Sequence, residues 1–158
     1  MEHATAPELP APRYSAFWNR VLPVLYRCIQ LLDPLIRSWW HGVGSGLDNV
    51  VELRVAGRKS GTYRRVLLTL LRDDGRWILG HPNGEVAWTL NLEAAGTADL
   101  VFRRRPPMPV RSRRLSGTER DRAIAATDQQ PFPANVLYRL ARPHIRAAGV
   151  YFELQRID

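Results

Sequence analysis

A chain of 158 residues with 45% hydrophobic residues has room for one packed core and excludes a disordered polyelectrolyte. Its net charge of +8 comes almost wholly from arginine, Lys59 being the single lysine, and points to an anionic ligand, lipid or nucleic acid. One cysteine, Cys28, excludes a disulfide framework and a cysteine-clustered zinc site, and no run of about 18 apolar residues offers a membrane span.

Residues 1–13 are rich in proline and are expected to form a disordered tail, leaving 14–158 as a single domain. From Tyr14 to Trp40 apolar residues recur at steps of three or four, which predicts a helical segment over 14–40. Pro23 should kink it, and Asp33-Pro34 should restart it. Phe17, Trp18, Trp39 and Trp40, mixed with Arg20, Arg27 and Arg37, suit either packing across the domain or a membrane surface. Without a secretory leader pattern at Glu2 and Glu8, the expected location is cytoplasmic, with peripheral contact to the membrane as an option.

Val51, Leu53 and Val55 alternate with Glu52 and Arg54, predicting a half-buried strand. A turn, Gly57-Arg58-Lys59-Ser60-Gly61, leads to a long second strand over 62–72. Asp73-Asp74-Gly75 is a hairpin turn, and residues 76–81 make the third strand. Pro82-Asn83-Gly84 ends it, and residues 86–95 form a short helix stopped by Gly96. Two strands over 97–103 and 108–115 flank Pro106-Pro107. Ser116 and Glu119 carry a capping-box pattern, a second helical piece covers 134–142, and residues 150–157 close the chain as a strand. Six short strands with helices inserted late predict an α+β fold built on an antiparallel barrel.

The Gly57–Gly61 turn carries the chemistry. Its glycines permit a nest of N–H groups, Arg58 and Lys59 add charge, Ser60 adds a hydroxyl, and Arg64 follows three residues on. This donor set suits phosphate, although a solvated hairpin turn uses the same residue types. His3, His41, His81 and His144 share no ligand spacing, so no metal site is expected. Arg103–Arg105 with Arg111, Arg113 and Arg114 form the densest basic cluster. With Phe102 as its lone aromatic, a solvated hairpin is favoured over a nucleic-acid platform, and no nucleic-acid partner is expected.

The turn, Arg72-Asp73, Trp77-Ile78-Leu79 and Trp88-Thr89-Leu90-Asn91-Leu92, in this order, resemble the deazaflavin-dependent nitroreductase family, within the split β-barrel flavin and deazaflavin oxidoreductases. The resemblance covers about residues 48–115. It implies a six-stranded antiparallel split β-barrel with an N-terminal helix and C-terminal helices, and coenzyme F420 as cofactor, with FMN as the alternative. Phosphate contacts would fall on Arg58, Lys59, Ser60, Gly61 and Arg64. The loop Gly80, His81, Asn83 and Gly84 would run past the ring system, and Ala87 and Trp88 would cover it. Tyr138 would lie in the roof over the acceptor, as a substrate contact or proton donor, although a core or surface role suits a tyrosine there equally. The implied activity is hydride transfer from reduced F420 to a small hydrophobic acceptor: a quinone, an enone or a nitroaromatic. A non-catalytic carrier of cofactor or lipid is the competing class. Departures from the family pattern gather on the ring side, where the loop 81–86 is short and Tyr63 and Leu67 stand where relatives often have proline.

Overall fold

A computed structural model describes residues 17, 20, 21, 24, 49–130 and 134–157. The tail 1–13, the Trp39-Trp40 pair, Trp18, Arg27, Arg37 and Cys28 lie outside the described residues. Phe17, Arg20, Val21 and Val24 are helical; the rest of the segment expected over 14–40, with the kink at Pro23 and the restart at Asp33-Pro34, lies outside the described residues.

Among the described residues seven strands form one antiparallel sheet: β1 (Val50–Ala56), β2 (Tyr63–Thr69), β3 (Leu71–Asp73), β4 (Arg76–His81), β5 (Thr97–Val101), β6 (Met108–Arg114) and β7 (Val150–Arg156). Besides helical positions 17, 20, 21 and 24, four α-helices accompany them among the described residues: α1 (Ala87–Ala95), α2 (Gly117–Ala126), α3 (Ala134–Leu140) and α4 (Arg142–Ala148). The α+β class stands, and the expected six strands become seven. The long strand expected over 62–72 breaks at Leu70, which is buried and donates its N–H to Asn49 O at 2.7 Å.

That break shapes the molecule. The strand order is β2-β1-β5-β6-β7-β4-β3, so β2 and β3 occupy opposite edges. Six interstrand steps of about 4.8 Å would hold those edges about 29 Å apart in a flat sheet. A single residue joins them, so the sheet must curl into a half-barrel. Asp74 and Gly75, with φ of 51 and 78, form the tight turn between β3 and β4.

Alternation along the strands sends side chains into two cores. Val51, Leu53, Val55, Leu79, Leu100, Phe152 and Trp88 fill the concave side. Ile78 and Tyr151 point the other way and pack under α2 and α4 with Ile124 and Ile145. Val21, Leu137 and Tyr138 join this second core from its margin. Helix α1 connects β4 to β5 and caps one end of the half-barrel, where Trp88 and Leu92 enter the concave core.

Two helical details differ from the pattern read locally. Ser116 flanks α2 without a side-chain cap bond, because Glu119 is drawn instead to Arg113, which donates to it at 2.7 and 3.0 Å. The piece expected over 134–142 ends at Leu140, and α4 follows with Pro143 in its first turn, where proline's missing N–H costs nothing.

Candidate functional site

The turn between β1 and β2 stands at the capped end of the half-barrel. Arg58, Lys59, Ser60 and Gly61 are exposed, while Gly57 is buried beneath them. Gly57 N–H donates to Thr62 O at 2.9 Å and Gly61 N–H to Gly57 O at 2.7 Å. Thr62 N–H donates to Ser60 Oγ at 3.3 Å. Of the two glycines, Gly61 alone takes a left-handed φ, of 67. The expected nest is therefore narrower than the glycine spacing suggested. The N–H groups of Lys59 and Ser60 form no hydrogen bond among the described residues, and both residues are exposed, as is Arg58.

The β2 register places Arg64 opposite Val55, and its Cγ lies 3.9 Å from where a Gly57 side chain would begin. A Cβ there would also meet Ser60 Oγ at 3.1 Å and Thr62 O at 3.2 Å. Glycine at this position thus lets Ser60 and Arg64 close over the turn.

Asn91 has no role that the helix motif alone assigns, and the fold supplies one. Its Oδ1 accepts the Arg58 N–H at 3.1 Å, so α1 holds the turn from the side. The sequence signal for this is a polar residue three positions after a tryptophan, Trp88 and Asn91. Thr89 secures the helix start in the same way, accepting the Val86 N–H at 2.9 Å and donating to Val86 O at 2.8 Å.

The Gly80–Gly84 loop closes the same end but faces inward. Gly80 pairs with Tyr151, and a Cβ on Gly80 would overlap the Tyr151 ring. Its glycine is thus required by an internal neighbour. His81 is 3% exposed and meets Trp88 edge-on at 6.4 Å. Burial lowers its pKa to about 4, against a smaller opposing bond to the Gly84 backbone, so the imidazole is neutral near pH 7. Its Nδ1 accepts the Asn83 N–H at 3.3 Å. Asn83 Oδ1 lies 2.8 Å from His144 Nε2 and accepts its proton. Gly84 adopts φ of 81 beside the Ala148 carbonyl.

The expected ring-side set is divided accordingly. Ala87 is exposed, Trp88 is a core residue, and His81 Nδ1 and Asn83 Oδ1 bond the protein itself. Tyr138 lies farther off. It packs in the second core, on the opposite face of β4 and β7 from Trp88, and burial raises its phenol pKa. The sheet separates it from the concave core, which removes the geometric basis for a roof over Trp88.

The basic cluster divides too. Arg113 binds Glu119 and Glu153, whose bonds raise its pKa, and Arg114 binds Glu93 and Glu85 at 2.9 and 3.0 Å. Arg103 and Arg105 instead line a cavity of about 560 Å³ at the open end of the half-barrel, with Arg72 and Arg156. Its apolar wall includes Trp77 and Phe102, whose rings meet edge-on at 5.3 Å. Among the described residues no helix is long and apolar enough to cross a membrane.

No protein-family model matches the chain, and no curated protein matches its sequence. Solved structures do match. An F420-H2 dependent reductase, FDR-A, is 20% identical with a TM-score of 0.56, over 68% of this chain and 94% of that one. The heme storage protein HutZ from Vibrio cholerae is 10% identical with a TM-score of 0.53, over 80% of this chain and 91% of that one. A conserved hypothetical protein from Mycobacterium tuberculosis, Rv2991, is 10% identical with a TM-score of 0.51, over 79% and 80%. What the chain shares with them at these identities is the fold.

Proposed function

We propose that the chain is an oxidoreductase of the split-barrel type that grips reduced coenzyme F420 by its phosphate at the Gly57–Gly61 turn and serves a small hydrophobic acceptor. The observation that carries this reading is the turn itself. Two exposed cations, two N–H groups without a bond among the described residues and a hydroxyl share one loop, which Asn91 holds from the side. Similarity in fold to an F420-H2 dependent reductase supports the choice of cofactor.

The donors fit an anionic phosphate well. Arg58 and Arg64 offer planar forks, Lys59 a point charge, and the Lys59 and Ser60 amides direct bonds that need no side-chain ordering. When bound, the deazaflavin would supply the hydride. The chain's own contribution is to orient and to exclude water. Ala87 presents a small exposed surface beside the rigid Trp88 core, and the neutral His81 keeps a charge out of that core. The acceptor is proposed to be a quinone, an enone or a nitroaromatic.

Peripheral membrane contact belongs to the same proposal. Phe17 and Val24 are 59% and 62% exposed and seven positions apart, both are helical, and exposed Arg20 lies between them in sequence. That arrangement suits the interface from which a lipophilic acceptor would come.

Titrating F420, FMN and FAD against tryptophan fluorescence tests the cofactor, and mixing the reduced complex with menadione tests the reaction. Tight F420 binding with oxidation by menadione is the expected result. Tight binding without oxidation by any quinone, enone or nitro compound would make the protein a carrier.

A further inference from the structure

We infer that the open end of the half-barrel is a second ligand site, built for a flat apolar body that carries two or more carboxylate or phosphate groups. The cavity of about 560 Å³ lies within the range of about 300–1,000 Å³ usual for small-molecule sites. Arg72 comes from β3, Arg103 and Arg105 from the β5–β6 connection, and Arg156 from β7. Four cations separated in sequence thus converge on one space, and no carboxylate lines it among the described residues.

Like charges gathered at one cavity repel across a low-dielectric wall, and a bound anion lowers that repulsion. The contrast with Arg113 and Arg114 is instructive. Those two belong to the same cluster in sequence but are matched by four glutamates. Arg72 and Arg105 form no ion pair among the described residues, while Arg103 and Arg156 hold further contacts. Guanidinium forks select carboxylate or phosphate, and they also stack on flat rings. Trp77 and Phe102, fixed edge-to-face, offer an apolar wall to such a ring.

This site is distinct from the phosphate turn. The cavity contains Val50, at the first residue of β1, whereas the turn follows the last residue, Ala56. A seven-residue strand sets the two about 20 Å apart. The inference therefore does not depend on F420 binding.

Pyranine, a flat trisulfonate whose sulfonates stand in for carboxylate or phosphate, is a suitable probe. Its fluorescence anisotropy should saturate on the full-length protein. Arg72→Ala with Arg105→Ala should weaken binding at least about tenfold, since each loses a charge-assisted contact. Arg58→Ala and Lys59→Ala should leave that binding component unchanged. Tripolyphosphate, charged but without a flat body, should compete more weakly than mellitate. On the unaltered protein, pyranine should protect Arg72 and Arg105 from phenylglyoxal, read by mass spectrometry, so the test survives a variant that fails to fold. Absence of saturable binding, loss only in the turn variants, equal competition by tripolyphosphate, or unprotected arginines would each overturn the second site. So would displacement by a short oligothymidylate at lower concentration than mellitate, which would make it a single-strand surface.

Discussion

Asn91 Oδ1 accepts the Arg58 N–H at 3.1 Å across 33 residues, and this bond joins the phosphate turn to the helix that caps the half-barrel. Removing it by Asn91→Ala should loosen the turn without dismantling the core, because Arg58 is exposed. The lost hydrogen bond is worth about 1 kcal/mol, which should lower Tm by about 2–4 °C. F420 affinity should fall by up to about tenfold, as the donors lose their fixed arrangement. Calorimetric titration and thermal melts read the two effects separately, and unchanged affinity would show that the turn orders itself.

Arg58→Ala and Lys59→Ala should each weaken F420 binding by about 1.5–3 kcal/mol, or about ten- to hundredfold. Both side chains are exposed, so Tm should scarcely move. Affinity of the unaltered protein should drop as salt rises, and the salt dependence should be shallower in each variant. Fluorescence titration over a range of ionic strength checks both statements.

Gly80→Ala should be among the most damaging single changes. Its methyl group would overlap the Tyr151 ring, and Tyr151 is 1% exposed in the second core with Gly149 on its other side. Overpacking of this kind costs about 1–3 kcal/mol or more. Pairing Gly80→Ala with Tyr151→Leu should recover part of the loss relative to the sum of the single changes. A double-mutant cycle of urea melts measures this, and strict additivity would contradict the contact.

His81 gives the fold an acid-sensitive step. Its folded-state pKa is about 4 against 6.5 for the free group, so between those values the unfolded chain binds the extra proton. Stability should hold above about pH 6.5 and decline as the pH falls toward about 4, by up to about 3 kcal/mol from this residue. His144, also lowered by burial, acts in the same direction. Because carboxylates add their own acid loss, the measurement is the difference between unaltered and His81→Gln unfolding curves across pH 4–7. Parallel curves would remove the buried imidazole from the account.

Phe17→Ser with Val24→Ser should reduce co-sedimentation of the full-length protein with anionic liposomes. The motive is their exposure beside Arg20. Equal sedimentation of both proteins, or none by either, would confine that helix to packing, where Val21 already meets the second core.

Sequence alone determined what acts over a few residues. The alternation at Val51, Leu53 and Val55 fixed β1, Asp74-Gly75 fixed the hairpin, and Gly96 stopped α1 in a left-handed φ of 67. The Gly57–Gly61 turn, with its exposed cations, was legible for the same reason: turn conformation depends on local sterics. Tertiary structure decided the rest. Leu70 divides one apolar run between opposite edges of the sheet, and only strand pairing distant in sequence makes that favourable. Trp88 and Tyr138 each read as site residues, yet the sheet places them in different cores. The arginine cluster was visible as charge, but which members are neutralised depends on glutamates 6 to 40 residues away, three of the four of them more than 20. Local propensity carries no record of such partners, because the energy of a packed ring or an ion pair exists only once the chain has brought both groups together.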